Sequence, residues 1–285
     1  MPAPTPSNSP TPSTPSKSAN PPNPPTSPKP PDLSATRSPF ALVTGATQGI
    51  GRAIALRLAA DGARVAVGGP APGPDLDAVA RTAGGVPAPA DVRDREQVRA
   101  LVERLRHTVG DPDVLVCNAA YMTMGGFLDH DEDDWWRIVD TNLGGTFHLV
   151  QAVLPGMRRL GRGRIVVISS EWGVTGWPHA TAYAASKAGL IALVKSLGRE
   201  LAPENILVNA VAPGVTDTPQ LAVDAADAGM TLDETHRHYA AGIPLGRIGR
   251  PEEIASAVAH LTDFSHGSLT GQTLQINGGS TRCRA

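Results

Sequence analysis

The chain has 285 residues, and its 25 Lys and Arg nearly balance its 27 Asp and Glu, which leaves a net charge of −2. A charge this small gives no electrostatic case for nucleic acid or an anionic membrane surface as a partner. The longest apolar runs fall well below the roughly 18 residues that a membrane-spanning helix requires, so we expect no membrane segment.

Cysteine and histidine usage bears on the compartment and on metal binding. The two cysteines are Cys117, in a predicted buried strand, and Cys283, near the C-terminal end of the sequence. This usage argues against a disulfide framework and fits a reducing compartment, so we expect the protein in the cytoplasm. Cysteine and histidine are nowhere spaced like metal ligands, and we predict no metal site.

The first 37 residues differ in composition from the rest. They hold about half of the 27 prolines, interleaved with Ser, Thr and Asn, and almost no large apolar residue. Such a segment cannot bury enough surface to offset the entropy of ordering, so we predict a disordered tail over 1–37 and one folded catalytic domain over 38–285. Its Ser-rich, acid-poor composition leaves an organelle transit peptide as an alternative to an unstructured extension.

Beyond the tail, strand-like and helix-like segments alternate along the chain. Apolar runs of strand length lie at 40–43, 64–68, 86–89, 114–117, 164–169, 206–211 and 273–276. Helical patterns lie between them, at 50–61, 75–83, 94–109, 132–160, 182–201 and 251–262. The alternation predicts right-handed β-α-β crossovers, and therefore a doubly wound α/β fold of the Rossmann type, with helices on both faces of a parallel sheet.

The first predicted strand runs into a glycine turn that opens an alanine-rich helix. In FALVTGATQGIGRAIALRLAADG, the residues Gly45, Gly49 and Gly51 let the backbone bend sharply, approach a ligand closely and pack the helix on the strand. The amino end of a helix offers unpaired amide donors to a pyrophosphate. A strand, a glycine turn and a helix in this order indicate a dinucleotide site.

A second group of residues suits acid–base chemistry. Tyr183 and Lys187 are four apart in a helical pattern, so both side chains leave the same helix face. A free Tyr titrates near pH 10, and an ammonium about 4 Å away contributes on the order of 4 kcal/mol, which suffices to bring the pKa near 7. Ser170 ends the apolar run RIVVISS, so a strand would deliver its hydroxyl to the sheet edge where ligands bind.

Six motifs occur in the order typical of one family: TGATQGIG at 44–51, CNAA at 117–120, Asn142 in DTNLGGTF, Ser170, YAASK at 183–187 and NAVAPG at 209–214. Through them the chain resembles the short-chain dehydrogenase/reductase family over about residues 38–281. The resemblance implies the strand order 3-2-1-4-5-6-7. GIPLGRIGRPEEIA and LTGQTLQINGG are most similar to β-ketoacyl-carrier-protein reductases and related polyol, sugar and steroid dehydrogenases, and these segments do not identify a substrate.

The resemblance implies a role for each matching residue. Tyr183 would be the general acid in carbonyl reduction and the base in alcohol oxidation, and Ser170 would hydrogen-bond the substrate oxygen. Lys187 would lower the pKa of Tyr183 and bind the nicotinamide ribose, and Asn142 would hold a water that links Lys187 to solvent. The cofactor-binding residues implied in the same way are Gly45, Thr47, Gln48, Gly49, Ile50, Gly51, Asp91, Val92, Asn118, Ala119, Ala120, Tyr183, Lys187, Pro213, Gly214, Val215 and Thr218.

Two long connections would shape the substrate pocket. The segment 171–181 must pass over the site, and 215–245 is long enough to be a functional loop with its own short helix, which in the family is the mobile substrate lid. Trp and Met in the pocket favour an apolar or ring-shaped ketone, and Glu171 so close to Ser170 indicates a polar group on the substrate. Candidates for lining the pocket, which could equally be loop packing, are Tyr121, Met122, Met124, Glu171, Trp172, Trp177 and His179.

The chain departs from the family's usual pattern at Ala120, and a few further positions bear on the choice between NADP(H) and NAD(H). Ala120 stands where the family usually has Gly, and its methyl group could narrow the space near the nicotinamide or be tolerated. NADP(H) is favoured over NAD(H) because Gly69 ends the second strand, where NAD-preferring relatives place an acid that repels a 2′-phosphate. Direct evidence for binding of a 2′-phosphate is weaker than this missing acid. Gln48 occupies a usually basic position, and Arg52 could reach a phosphate or be an ordinary solvated residue.

We therefore expect an NAD(P)-dependent oxidoreductase acting on the carbonyl or secondary alcohol of a small molecule. Within this class, a ketoacyl-thioester reductase of fatty acid or polyketide type and a sugar, polyol or steroid dehydrogenase are alternatives. A nucleotide-binding regulator without turnover is a third, which the presence of Tyr183 and Lys187 disfavours.

Many relatives pair their long helices across a two-fold axis, so we also expect a homo-oligomer, either a tetramer or a dimer. Within 132–160, an apolar seam at helical spacing exceeds what one sheet face needs. The seam consists of Val139, Leu143, Phe147 and Val150.

Overall fold

A computed structural model describes residues 38–281, so the predicted disordered tail over 1–37 and Cys283 lie outside the described residues. Seven strands form one sheet: β1 (Phe40–Val43), β2 (Arg64–Gly69), β3 (Val86–Pro89), β4 (Val114–Cys117), β5 (Gly163–Ile168), β6 (Ile206–Pro213) and β7 (Thr273–Ile276). Their order is β3-β2-β1-β4-β5-β6-β7, and every neighbouring pair is parallel. The predicted fold class and strand order are confirmed.

Ten α-helices of the described chain connect these strands: α1 (Gly49–Ala60), α2 (Pro74–Thr82), α3 (Arg95–Thr108), α4 (Glu132–Val139), α5 (Gly145–Leu160), α6 (Trp172–Thr175), α7 (Thr181–Leu201), α8 (Pro219–Asp227), α9 (Leu232–Ala241) and α10 (Pro251–Thr262). Helices α3, α5 and α7 pack on one face of the sheet with Leu42 and Leu115, and α1, α2 and α10 pack on the other face with Val43 and Val116. Successive strand residues point to opposite faces, so strands buried on both sides must be apolar throughout.

Strands β1 and β4 mark the point where the strand order reverses. β1 pairs with β2 on one side and with β4 on the other, where Val43 lies opposite Val116. The crossovers therefore leave this pair of strands in opposite directions. In open α/β sheets, the crevice outside the carboxyl ends of such strands binds ligands.

The predicted helix over 132–160 is divided in the structure. A π-helical turn, Asp140–Gly144, separates α4 from α5 and contains Asn142. An apolar period of 3.6 residues does not reveal one extra residue in a turn, and such turns are frequent at functional sites. The connection over 215–245, expected to hold one short helix, holds α8 and α9.

The predicted apolar seam is largely internal. Val150 is buried, and Leu143 packs against the same core cluster from the π-helical turn. Val150 points inward because α5 covers the sheet. Phe147, by contrast, is 48 % exposed.

Two further observations concern membranes and metals. Within residues 38–281, no helix is both long and apolar enough to cross a membrane. The same part of the chain contains no group of three or more His, Cys, Asp or Glu arranged to hold a metal ion.

Candidate active site

A cavity of about 550 Å³ opens at the carboxyl edge of the sheet. Ser170, Tyr183 and Lys187 line it, whereas Asn142 is buried and is not among the lining residues. Every other predicted cofactor-binding residue also lines the cavity. These lie at 45, 47–51, 91–92, 118–120, 213–215 and 218.

The turn between β1 and α1 is shaped to receive an anion. Gly45 and Gly49 have φ angles of +60° and +52°, a region in which a Cβ is strained. A Cβ on Gly51 would lie 2.2 Å from the carbonyl oxygen of Gly45, so α1 packs against the turn more closely than another residue allows. Gln48 precedes α1 without a side-chain capping hydrogen bond, so the first amides of α1 are suited to a ligand. This cradle fits the pyrophosphate of a dinucleotide.

Asn118 fixes the glycine turn to the end of β4. Its Nδ2 donates to the carbonyl oxygens of Thr44 (3.0 Å) and Gly45 (2.9 Å). The Thr44 hydroxyl accepts in return from the amides of Asn118 (3.1 Å) and Ala119 (3.2 Å). The sequence did not predict this role of Thr44, because its partners are more than 70 residues away along the chain.

Three predicted catalytic side chains meet where β5 ends and α7 begins. The side chain of Ser170 interacts with that of Tyr183, and the Ser170 hydroxyl accepts from the amide of Trp172 at 3.1 Å. Lys187 stands one helical turn beyond Tyr183 and is almost fully buried. The arrangement places an acidic hydroxyl, a second hydroxyl and an ammonium on one wall of the cavity.

The pKa of Tyr183 differs from the expectation that Lys187 lowers it. Burial raises this pKa to about 12, and the interaction with Ser170 opposes the shift only in part. The expected attraction rested on an ammonium facing the phenol oxygen, but the Lys187 Nζ donates to the carbonyl oxygen of Ile168 at 2.8 Å. Burial lowers the pKa of Lys187 to about 8.

Asn142 ties the loop after β4 to α7. Its Oδ1 accepts from the amide of Tyr121 (2.8 Å), and its Nδ2 donates to the carbonyl oxygen of Tyr121 (3.2 Å) and to Ser186 Oγ (3.0 Å). The Ser186 hydroxyl donates to the carbonyl oxygen of Tyr183 at 2.8 Å. Asn142 thereby links the cavity wall to the backbone of Tyr183, and the water-holding role stays a prediction.

The predicted pocket residues divide into two groups. Those that line the cavity are Tyr121, Met122, Glu171 and Trp172, whereas Met124, Trp177 and His179 are not among the lining residues, which agrees with the alternative of loop packing for these three. Trp177 instead stacks on Trp172, with ring centroids 5.1 Å apart and planes 6° apart. Trp172 in turn meets the ring of Tyr183 edge to face at 5.9 Å. Trp177 thus supports the cavity wall from outside.

The lid, residues 215–245, contributes lining residues that the sequence did not single out: Thr216, Pro219, Gln220, Leu221, Asp224 and Tyr239. Burial is the main cause of the raised pKa values of Tyr183 and Tyr239, and the negative charge of Asp224 adds to both shifts. Helices α8 and α9 are short, so periodicity does not tell which of their faces turns inward.

Sheet order, glycine turn and the Ser-Tyr-Lys group together define an oxidoreductase of the Rossmann type. Comparison with known families agrees, because the family described as enoyl-(acyl carrier protein) reductase matches residues 45–281. The chain belongs to the short-chain dehydrogenase/reductase family. This membership implies an NAD(P) cofactor and chemistry on CH–OH or C=O groups.

Two kinds of relative illustrate the similarity. The 3-oxoacyl-[acyl-carrier-protein] reductases FabG of Thermotoga maritima and Escherichia coli K12 are 40% and 39% identical over 244 and 241 residues, covering 84% of this chain and 96% of theirs. Among solved structures, Thermoplasma acidophilum aldohexose dehydrogenase superposes with a TM-score of 0.79 at 32% identity, covering 86% of this chain and 94% of that one. A Brucella melitensis structure described as ribose-5-phosphate isomerase gives 0.81 at 31%, covering 86% and 93%.

Proposed function

We propose that this enzyme transfers a hydride between NADP(H) and the carbonyl or secondary alcohol of a free, ring-bearing small molecule. The observation that carries the proposal is the shared cavity: the pyrophosphate cradle and the side chains of Ser170, Tyr183 and Lys187 line one continuous space. A nicotinamide cofactor held in the cradle supplies the hydride.

Side chains of the protein donate the proton and stabilise the negative charge on the substrate oxygen. Hydride addition to a carbonyl carbon leaves negative charge on the oxygen, which a proton donor and a second hydroxyl must offset. With its pKa raised to about 12, the Tyr183 phenol keeps its proton through the physiological range and is available to donate it. Ser170 would hydrogen-bond the same oxygen, and Lys187 would contribute positive charge beside the phenol ring.

The preference for NADP(H) rests on the end of β2. Gly69 lines the cavity and carries no side chain that could accept from a ribose 2′-hydroxyl or repel a 2′-phosphate. An ideal Cβ at this position would lie 3.1 Å from Thr47 and 3.2 Å from Leu76, so a side chain fits only if these two side chains move by a few tenths of an ångström. Asp91 at the neighbouring strand end is held by Arg93, with Oδ2 to Nη2 at 2.6 Å.

Aromatic and aliphatic side chains at the substrate end of the cavity favour an apolar, ring-bearing ketone. Trp172 forms one wall. Its ring stacks on Trp177 and meets the ring of Tyr183 nearly at a right angle. The lid contributes Leu221 and Tyr239, which belong to the small apolar cluster inside the lid. Flat aromatic walls gain most from planar or cyclic substituents.

A second candidate is the reduction of a 3-oxoacyl group on a carrier protein, which the identity to the FabG reductases favours. The loop beside the cavity argues against it. Segment 126–134 follows the lining residues Tyr121 and Met122 along the chain and contains neither Lys nor Arg. Gly125, the residue before it, donates its amide to the carbonyl oxygen of His179 in the 176–180 connection (2.9 Å). Its exposed acids, the acidic rim, are Asp129, Asp131, Glu132 and Asp133. An acidic carrier protein would meet like charge there.

A substrate panel tests these alternatives. NADPH oxidation would be followed with a cyclic aryl ketone, with a 3-oxoacyl group on a neutral pantetheine analogue, and with the same group on a carrier protein. We expect the ketone to be reduced best and the carrier-linked substrate worst. A carrier-linked substrate that exceeds the neutral analogue in kcat/KM would favour the second candidate, and no turnover of any substrate would favour the regulator.

Charge reversal sharpens the test. Replacing Glu132 and Asp133 with Lys should raise kcat/KM for the carrier-linked substrate, more at low salt than at high salt, and leave the neutral analogue unchanged. Glu200→Lys, an exposed acid at the opposite end of α7, is the matched control and should change neither substrate.

We also propose that the enzyme acts in the cytoplasm as a homo-oligomer, and that residues 38–285 carry the activity without the segment 1–37. The reducing compartment follows from the cysteine usage, in which Cys117 is buried and unpaired. The exposed Phe147 supports self-association. A truncated protein that starts at Ser38 should keep the kcat/KM of the full chain.

A further inference from the structure

Glu171, the residue after the catalytic serine, has a buried carboxylate. The sequence suggested that it meets a polar group on the substrate, but its partners in the structure belong to the chain itself. The residue is 7 % exposed. Its Oε2 accepts a hydrogen bond from the hydroxyl of Ser280. Burial raises the pKa of Glu171, and Ser280, the side chain of Asn277 and the backbone amide of Val215 oppose that rise. Its own amide donates to the carbonyl oxygen of Pro213 at 2.9 Å. The residue therefore already has partners in two other parts of the chain, without a substrate group.

One set of these partners belongs to the C-terminal turn, which we define as residues 277–281. The turn is held by its own hydrogen bonds, because Asn277 Nδ2 donates to Thr281 Oγ1 (2.6 Å) and Asn277 Oδ1 accepts from the amide of Gly279 (3.1 Å). It is an ordered structure against which Glu171 can be fixed.

The C-terminal turn also contacts the far end of the lid. The amide of Leu245 donates to the carbonyl oxygen of Gly278 at 3.1 Å. Gly278 has a φ of +63°, and a Cβ there would lie 2.6 Å from Ile243 Cγ2, so this contact depends on glycine. The far end of the lid is thus bound directly to the turn.

The near end of the lid lies against Glu171. The backbone amide of Val215, the first lid residue, lowers the pKa of Glu171, although burial raises that pKa overall. The preceding residue, Gly214, leaves room for the carboxylate, because a Cβ on Gly214 would lie 3.3 Å from Glu171 Oε1 and 2.8 Å from Asn277 Cβ. Both ends of the lid therefore converge on Glu171 and the C-terminal turn.

We infer that Glu171 is a positioning residue of the active site, whose carboxylate fixes the base of the lid and the C-terminal turn to the strand end that carries Ser170. The inference rests on the proposed function in one respect, namely that the lid covers bound cofactor and substrate. Removing the carboxylate leaves the Ser280 hydroxyl without its acceptor, and both ends of the lid lose a fixed point.

The experiment compares Glu171→Ala, Glu171→Gln, Ser280→Ala and the double variant Glu171→Ala/Ser280→Ala. Asp113→Asn is the matched control, because Asp113 is also a buried carboxylate and accepts from a backbone amide, that of Phe40 at 2.6 Å, but at the opposite edge of the sheet. Two readouts are used: direct titration of NADPH by quenching of Trp fluorescence, and deuterium uptake of 215–245 in the protein alone.

We expect Glu171→Ala to weaken NADPH binding about tenfold and to raise deuterium uptake across the lid, with Glu171→Gln restoring much of both because its amide oxygen still accepts. Ser280→Ala should show a smaller change of the same kind, and the double variant should match Glu171→Ala. Asp113→Asn should lower the melting temperature and move neither readout. If Glu171→Ala does not fold, Ser280→Ala carries the test.

Equal effects of Glu171→Ala and Asp113→Asn on lid exchange would overturn the inference, as would additive effects in the double variant. Failure of the proposed function gives a different result from failure of the inference about Glu171. A wild-type protein that binds neither NADPH nor NADH contradicts the proposed function, whereas the deuterium uptake of the lid still reports on Glu171.

Discussion

The ammonium of Lys187 lies 5.4 Å from the centre of the Tyr183 ring and is bound to the carbonyl oxygen of Ile168 at 2.8 Å. The lysine is therefore held by the end of β5, beside the catalytic phenol rather than on its oxygen. Burial lowers the pKa of Lys187 from 10.5 to about 8, so the folded protein holds a charged, desolvated ammonium at neutral pH.

Lys187→Met should raise the free energy of unfolding at neutral pH although it impairs catalysis. Below pH 8 the lysine is charged in both the folded and the unfolded protein, and a shift from 10.5 to about 8 corresponds to a burial cost of roughly 3 kcal/mol. As the pH rises from 8 towards 10.5, the folded protein loses the proton first and the cost disappears. Urea unfolding at pH 6.5 and 9.5 checks this, since the advantage of the variant should shrink at the higher pH. A difference independent of pH would contradict the buried charge.

Tyr183→Phe should lower kcat by about 10²–10⁴-fold, because it removes the transferable proton and leaves the ring in place. The ring still meets Trp172 edge to face, so the wall of the cavity is retained. Direct titration should show NADPH affinity within twofold of wild type. A variant that keeps more than about a tenth of the wild-type rate would exclude Tyr183 as the general acid.

The positions of Ser170, Tyr183 and Lys187 could be predicted because short-range spacing and strand ends fix them. The direction of the Tyr183 pKa could not, because it depends on burial and on where the Lys187 ammonium points. The partner of Glu171 could not be predicted from the sequence either, since Ser280 lies 109 residues away and the contact depends on the path of the C-terminal turn. The π-helical turn at Asn142 was missed because it adds a single residue to an otherwise regular period.

Asn142→Asp should destabilise the protein more than Asn142→Ala. The amide Nδ2 donates to the carbonyl oxygen of Tyr121 at 3.2 Å, and a carboxylate would place two acceptors against each other in a buried site. We expect a loss of about 3 kcal/mol or more for Asp and about 1–3 kcal/mol for Ala in urea unfolding. Ser186→Ala, which removes one partner of the same amide, should cost about 1 kcal/mol. The opposite order of Asp and Ala would show that Asn142 is not needed as a donor.

Gly69→Asp should shift the cofactor preference from NADPH towards NADH. The carboxylate would repel a 2′-phosphate and accept from a 2′-hydroxyl, and the nearest atoms it meets belong to the side chains of Thr47 and Leu76, which can adjust. We expect the ratio of kcat/KM for the two cofactors to change at least tenfold, or about 1.4 kcal/mol. Gly69→Ala controls for packing and should leave the ratio unchanged. A tenfold advantage for NADH in the wild-type enzyme would overturn the proposed preference.

Phe147→Glu should weaken self-association, because Phe147 is the exposed member of the predicted seam on α5 while Val150 points into the core. A second aromatic side chain, that of Trp136 on α4, is 53 % exposed, so the α4–α5 segment presents apolar surface that a partner copy could bury. Light scattering at micromolar concentration should give a dimer or tetramer for wild type and a smaller species for the variant. Leu128→Glu, at an apolar residue in the loop before α4 that is 93 % exposed, should leave the mass unchanged. A monomeric wild-type protein would rule out the oligomer, and an unchanged mass for Phe147→Glu would place its interface elsewhere.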